Sequence, residues 1–575
     1  MKNRANRTVL VMLAVWWLLN LIMGATVELA DDEAYYWAWN SIASETGAPL
    51  AWGYFDHPPM VALLVWISSF LPGTLGVRFF SLLLQPLYLY LFWTLIRPKQ
   101  PSRRDAWSYI LVCFSMPLLQ LYGLLALPDA PLLCFTVVFL WAFKRLVEHD
   151  RWGDMLFVAL AAALLCYSKY HGVLVIGFVI LSHPKSLKNP KLYSALAIAL
   201  MLYIPHLKWQ WEHDFPSFRY HLIDRNASFE WENIGDFLLS LLVVFNPLFL
   251  YHFLWKGWKK ETCSENEATG FSIRRALGTL AIGFVVFFLF SAIKKYVQAQ
   301  WVLPVVFAAI WAVWNILRRQ SGKKYLVIAA WSTVGVLLVA RLLVMTNPFG
   351  WQGEIWNNKQ SYGQIASLAE GRPVLFSGGY AQASKYAYYT HEPTYCQSVF
   401  YMRESQWNLS GNDSLLRNRD IMVQVEENLL ADTLLLANGK EFKYLFADHF
   451  LPTRKVRVEL ADDTLYAHAG DTLHLSLVVD NPYEYTLGED TAQLRISMFF
   501  HVTQRIQPER HAAVTIPIEA KKSTPVVADF VIPKELEQGA TYRCGFCFGH
   551  NLFRQPTASR PHFITINTAQ PTHND

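Results

Sequence analysis

The chain has 575 residues, of which 53% are hydrophobic and only 17% charged, with a formal net charge of +5. Soluble domains carry roughly a quarter charged residues, and the deficit is concentrated in the first 345 residues, where apolar runs of a length suited to crossing a bilayer recur. A wholly soluble protein is excluded, and the pattern predicts a polytopic α-helical membrane protein with a water-exposed tail from about Trp351.

Lys2, Arg4 and Arg7 precede an apolar run from Thr8 to Val27. A signal peptide starts this way too, but the run is long, contains Trp16 and Trp17, and shows no clear small-residue cleavage pattern. It reads as an uncleaved first span with a cytoplasmic N-terminus. Basic loops at 97–104, 144–151, 185–191, 256–260 and 318–324 then set the topology through the positive-inside bias. Eleven spans satisfy it, at about 8–27, 76–96, 106–125, 130–146, 153–168, 171–183, 192–207, 236–255, 274–292, 297–317 and 325–345. The tail then lies outside, on the periplasmic side of an inner membrane. Met60 to Leu71 is too short to span and would invert the order, so it reads as a partly embedded or interfacial helix.

This topology places every loop of chemical interest on the outer face. The richest is Glu28 to Met60, ELADDEAYYWAWNSIASETGAPLAWGYFDHPPM, with acids at Asp31, Asp32, Glu33 and Asp56 among seven aromatic side chains. The others are Leu127-Pro128-Asp129, Ser168-Lys169-Tyr170-His171, Pro205 to Asp236, and Lys294-Lys295-Tyr296. Inner loops are short and basic, as topology signals alone would make them.

Beyond Trp351 the pattern changes. Gln360–Glu370 and Tyr380–Tyr389 read as helices and Pro373–Phe376 as a strand, a small α/β unit. From Val456 to Ile566 segments such as LHLSLVVD, LRISMFF and VVADFVI alternate apolar and polar residues between turn signals, which predicts a β-sandwich of about seven strands. The expected domains are therefore 1–345 (membrane), 346–454 (α/β) and 455–575 (β-sandwich). Cys113, Cys134 and Cys166 lie in apolar runs as core residues. Cys544 and Cys547 form a CxxC open to redox, metal or disulfide chemistry, but no second pair with metal-ligand spacing accompanies it.

Asp32 and Glu33 open an amphipathic helix just outside the first span. They suit a general base or a cation site, and equally an acidic first turn favoured by the helix dipole. Pro58-Pro59 makes the backbone rigid beside Asp56 and His57, which suits a ligand-facing residue and also a simple turn. Arg78, Asp129, Lys169 and His171 stand at span ends on one face, where ionisable groups either anchor helices or serve a site. Together they suit binding a phosphate whose attached group reacts with a hydroxyl. Trp209 and Trp211 are candidates for sugar stacking or for interface anchoring. No G-x-G-x-x-G before a helix, P-loop or HExxH is present, so nucleotide hydrolysis and zinc proteolysis lack motif support.

DDEAYYW followed by YFDHPPM resembles the first outer loop of the membrane glycosyltransferases of the GT-C fold. The likeness is to bacterial relatives of the dolichyl-phosphate-mannose–protein mannosyltransferases and of the lipid A aminoarabinose transferase. It is carried by Asp32-Glu33, by Tyr54-Phe55-Asp56-His57-Pro58-Pro59-Met60 and by Arg78. Leu127 to Pro131, Ser168 to Gly172 and Pro205 through Gln210 extend it across about residues 8–345. The resemblance implies inverting transfer of a sugar from a polyprenyl-phosphate donor to an acceptor hydroxyl on a lipid, glycan or protein. Asp32 would be the catalytic base, with Glu33 and Asp56 beside it. Tyr54, His57, Arg78, Asp129, Lys169, His171 and Lys295 would bind substrate, with Arg78, Lys169 and Lys295 holding the lipid phosphate and Asp56 and His57 shaping the site, His57 by orienting Asp56 or coordinating a cation. His57 stands where the aminoarabinose transferases carry Lys. No motif requires a cofactor; a divalent metal is the open choice, with Asp32, Asp56 and His57 as candidate ligands. Membrane lipids are expected partners and nucleic acid is not. By position alone the tail would cap the site or bind the acceptor. The rival classes are a transporter or flippase and a non-catalytic polysaccharide-assembly protein. Against the first stands the lack of charges deep in mid-span and of paired broken helices in two halves.

Overall fold

The computed structural model describes residues 2–44, 50–220, 231–256, 258, 270–319, 324–400, 403–409, 412–425, 431–462, 464–488, 494–502, 508–552 and 556–567. The chain divides into two units, Met1–Trp356 and Asn357–Asp575.

The first unit is helical. Its elements are α1 (Lys2–Thr26), α2 (Asp31–Ser44), α3 (Met60–Ser68), α4 (Leu75–Ile96), α5 (Arg103–Phe114), α6 (Pro117–Tyr122), α7 (Asp129–His149), α8 (Trp152–Ser168), α9 (Gly172–Leu181), α10 (Pro190–Glu212), α11 (Pro216–Arg219), α12 (Trp231–Phe245), α13 (Ile273–Ala292), α14 (Val306–Arg319) and α15 (Lys324–Thr346). Among the described residues seven helices are long and apolar enough to cross a membrane. They coincide with seven of the expected spans, the one at 297–317 beginning as a tight 3-10 turn at Ala299–Val305. The other four are shorter or broken: 106–125 is divided at Met116-Pro117, 236–255 leaves α-helix after Phe245, and α8 and α9 have 17 and 10 residues. Proline supplies the break at Pro117, since it cannot donate to the preceding turn. The nine residues of α3 rise about 13–14 Å, roughly half of a bilayer's hydrocarbon core, as the reading of Met60–Leu71 as a non-spanning helix requires.

Local signals set several boundaries. Ser102 and Asp105 form a reciprocal capping box that starts α5. Asn189 accepts from the Lys191 N–H with Pro190 in the first turn of α10. The apolar core is continuous through α1, α4, α5, α7, α8, α13 and α14, built from side chains such as Leu13, Phe92, Ile110, Leu140, Ala162, Phe284 and Trp314. A polar seam crosses it: Asn20 Nδ2 donates to Gln85 Oε1 (2.7 Å) and Arg341 donates to Asn20 Oδ1 (2.5 Å) while stacking on Trp16. A cation on the last span thus finds its acceptor on the first.

In the second unit, α16 (Asn358–Ala369), β1 (Val374–Phe376), α17 (Tyr380–Thr390), β2 (Thr394–Cys396), α18 (Gln406–Leu409), β3 (Arg419–Gln424), β4 (Asp432–Leu435) and β5 (Glu441–Phe450) build a sheet of order β2-β1-β3-β5-β4. It is parallel around β1 and antiparallel at β5. Then β6 (Arg457–Leu460), β7 (Thr464–Ala467), β8 (Thr472–Asp480), β9 (Leu494–His501), β10 (Glu509–Val514), β11 (Ser523–Val531), β12 (Thr541–His550) and β13 (His562–Ile566) form two sheets, β10-β9-β12-β13-β7 and β11-β8-β6. Alternation on β8 and β11 turns Leu475, Leu477, Val479, Val526, Ala528 and Phe530 inward to one core.

The division at Trp356 differs from the expected domain boundaries. Residues 346–356 belong with the helices, where Trp356 Nε1 donates to the Val344 carbonyl (3.1 Å). The α/β part and the sandwich are one unit, joined by Tyr483 Oη on Asp413 (2.6 Å), Tyr485 Oη on the Pro452 carbonyl (2.8 Å) and Phe400 stacked on Phe499 at 4.6 Å. The CxxC is two free thiols three residues apart on one strand, so they point to opposite faces. Cys544 enters the sandwich core and Cys547 packs with Phe400 and Phe499. Burial pushes the Cys544 thiol up to about 12.

Candidate active site

The acidic cluster after α1 separates into different environments. Glu33 and Arg78 are completely buried and hold each other, Nε to Oε1 at 2.7 Å and Nη2 to Oε2 at 2.5 Å. The remaining guanidinium hydrogens go to the carbonyls of Gly24 (3.1 Å), Val27 (2.7 Å) and Glu28 (3.0 Å), so all five Arg78 donors are used. Glu33 also accepts the backbone N–H of Ala30 (3.1 Å) and of Ala126 (2.9 Å). This corrects two expectations. Arg78 has no donor left for a phosphate, and Glu33 has no exposed oxygen for a proton transfer. Their work is to tie the end of α1, the start of α2, the start of α4 and the segment before α7 into one corner.

That corner presents Asp32, half-buried in the first turn of α2. The preceding N–H, of Asp31, donates to Glu354 Oε1 at 2.8 Å, so a carboxylate from beyond α15 caps this helix start. The Tyr122 phenol at the end of α6 lies within electrostatic reach of both Asp129 and Asp32. Neither Glu354 nor Tyr122 carried a signal in the sequence, since each comes from a part of the chain remote from α2.

Asp129, the first residue of α7, takes the Lys169 ammonium on both carboxylate oxygens at 2.9 Å, and both side chains are buried. Two of the three ammonium hydrogens are thereby committed, and the pair is close to neutral as a unit. Lys169 ends α8 in extended backbone, and Gly172, whose Cβ would meet the Leu165 carbonyl oxygen at 2.5 Å, lets α9 start immediately afterwards. The turn between them carries Tyr170, which lies within reach of the Asp56 charge, and His171, which packs against Phe288 (5.1 Å) and Trp301 (5.5 Å). Lys295, half-buried, sits in the turn just after α13, the helix that supplies Phe288.

Asp56 is buried and His57 half-buried, with the Tyr36 ring 6.2 Å from the His57 ring. Tyr54, expected to touch substrate, instead stacks on Trp39 (4.3 Å, 9°) with no exposed surface, and its oxygen accepts the Ala51 N–H at 3.1 Å. Burial pushes its phenol up to about 12. Tyr54 is the foot of the loop and not part of its working surface. Trp209 is buried and Trp211 exposed, so the two split between packing and surface.

The arrangement therefore offers a half-buried carboxylate (Asp32), a neutralised acid–base pair (Asp129–Lys169), and an acid and an imidazole from the Pro-Pro loop (Asp56, His57), all at one end of the helices. Among the described residues no group of three or more His, Cys, Asp or Glu is placed to hold a metal ion. Asp32, Asp56 and His57 do not form such a group.

Residues 56–209 match the model of the dolichyl-phosphate-mannose-protein mannosyltransferase family. Among curated proteins the chain is similar to the lipid A galacturonosyltransferase RgtD of Rhizobium johnstonii, 24% identical over 334 residues. That alignment takes in 55% of this chain and 66% of the relative, just under two thirds of its length. Among solved structures it is similar to ArnT of Cupriavidus metallidurans in the apo state, with a TM-score of 0.54 and 15% identity over 76% of this chain and 97% of that one. The same protein bound to undecaprenyl phosphate gives a TM-score of 0.52 and 16% identity over the same shares, 76% and 97%. At such identities the solved structures speak to the fold alone.

Proposed function

We propose that this chain, a membrane glycosyltransferase of the GT-C fold, moves a sugar from a polyprenyl-phosphate carrier to the hydroxyl of a lipid, glycan or protein acceptor, with inversion at the anomeric carbon. The observation that carries the reading is Asp32, a half-buried carboxylate at a helix start held rigid by the Glu33–Arg78 pair. Support for the donor comes from the family description, which names a dolichyl-phosphate sugar, and from the ArnT complex with undecaprenyl phosphate.

The acceptor oxygen attacks the anomeric carbon and its proton passes to Asp32. The bond from that carbon to the carrier phosphate breaks, and the electron pair leaves on the phosphate oxygen. The leaving phosphate gains negative charge, so cationic donors aimed at it favour the transition state over the ground state. His57, Lys295 and the third ammonium hydrogen of Lys169 are assigned to it; Arg78 is not. Asp129 sets the position of Lys169. The basic loops at the other end of the helices support an extracytoplasmic site with the N-terminus in the cytoplasm.

Asp32→Asn tests the base. It keeps the shape and removes the proton acceptor, so transfer from a polyprenyl-phosphate sugar should fall by about 10²- to 10⁴-fold at unchanged folding. A variant that keeps more than a tenth of wild-type turnover, assayed side by side over a panel of donors, refutes the assignment.

A further inference from the structure

Just before Asp56 the backbone is gripped at two carbonyls two residues apart. His206 Nδ1 lies 2.8 Å from the Trp52 carbonyl oxygen, which can only accept, so Nδ1 carries the proton and Nε2 of the neutral ring accepts. Tyr170 Oη, 3.2 Å from Nε2, therefore donates to it and is left to accept from Gln210 Nε2 at 3.0 Å. The second amide hydrogen of Gln210 goes to Ser217 Oγ at 2.8 Å, and the Ser217 hydroxyl donates to the Tyr54 carbonyl at 3.1 Å. The two carbonyls thus dictate the direction of every bond between them, including the tautomer and the amide orientation. His206, Gln210 and Ser217 have no exposed surface.

Between the gripped carbonyls stands Gly53, where a Cβ would lie 2.3 Å from Trp209 Cε3 and 3.0 Å from His206 Nδ1. The loop backbone rests directly on the indole. His206, Trp209 and Gln210 occupy positions i, i+3 and i+4 of α10, hence one face of one helix. Tyr170 comes from the turn that also carries Lys169. Three parts of the molecule converge on a tripeptide that bears no reactive group, one residue short of Asp56-His57.

We propose that His206, Tyr170, Gln210 and Ser217 form a clamp on Trp52-Gly53-Tyr54 whose function is to position Asp56 and His57 for transfer, making these four positioning residues. The proposal rests on the reading of that loop as part of the transfer site. A misplacement of about 1 Å at a reacting centre costs roughly 10²-fold in rate, which sets the scale of the effect.

The test uses the full-length protein in detergent, with Tyr170→Phe, which removes the central node, and Ser217→Ala, which releases the Tyr54 carbonyl. Each should lower kcat, by about 10- to 100-fold for Tyr170→Phe, with donor KM within about twofold and the double variant little worse than the worse single. Hydrogen exchange read by mass spectrometry should speed up over residues 50–59 and stay unchanged over 24–33. Unchanged kcat, a rise in KM alone, or additive losses without faster loop exchange each overturn the clamp. If Asp32→Asn is dead while Tyr170→Phe is fully active, the transfer reading stands and the clamp falls. If the wild type transfers from no donor, the transfer reading falls and the exchange rates still decide whether the clamp holds the loop.

Discussion

Arg78→Met separates the two roles open to this arginine. The guanidinium is wholly buried against a wholly buried Glu33 and donates five hydrogen bonds, two to that carboxylate and three to the carbonyls of Gly24, Val27 and Glu28. Methionine fills similar space but leaves Glu33 with only the Ala30 and Ala126 N–H groups. Removing one partner of a buried pair costs about 3–5 kcal/mol, roughly two to three and a half powers of ten in the folding equilibrium. Glu33→Gln in the same chain removes the uncompensated charge while an amide oxygen can still accept from Ala126. The double variant should therefore be less destabilised than the sum of the singles, with a coupling of about 1–3 kcal/mol. The assay is denaturation in mixed micelles, run beside donor KM and kcat. A phosphate ligand would show the opposite pattern, a raised KM with stability intact. Arg78→Met at wild-type stability, or additive single and double variants, refutes the structural role.

Three further outcomes follow from the same geometry. Lys169→Gln should cost about 3–5 kcal/mol by stranding the buried Asp129 carboxylate, and Asp129→Asn added to it should recover part of that, read by the same denaturation series. Gly53→Ala should lower stability by about 1–3 kcal/mol through the contact with Trp209, and Trp209→Leu in the same chain should return part of the loss. Burial raises Cys544 from 9.0 to about 12, so the native thiolate fraction at pH 7.5 drops about a thousandfold. Iodoacetamide at that pH should leave Cys544 unlabelled until the protein is denatured, and labelling of the native protein refutes the packing.

Much of where the candidate site gathers was legible without the fold. A carboxylate- and aromatic-rich loop after a first apolar run, followed by acids and bases at span ends, needs only hydropathy and topology to be placed on one face. The individual roles were less legible. Among Asp31, Asp32 and Glu33 no local pattern says which side chain turns inward, because the choice depends on Arg78, 45 positions later. Lys169 reads as a free cation until Asp129 is found to accept from its ammonium on both carboxylate oxygens. Tyr54 reads as part of a binding motif until Trp39 covers its ring. His206 and Gln210 stood in a stretch read for its tryptophans, and their partners lie in a turn and a loop that are distant in the chain.

By itself the sequence determined the order of the long apolar segments and the alternating strands of the tail, since hydrophobic length and period are local quantities. Only the tertiary structure decided where helices break, that the CxxC thiols face apart, and which acids are buried in ion pairs. The physical reason is that the energy of a charge or a polar atom belongs to its surroundings. Glu33 and Asp32 are neighbours of one chemical kind, and the fold gives one of them a buried arginine and leaves the other half-buried within electrostatic reach of the Tyr122 phenol.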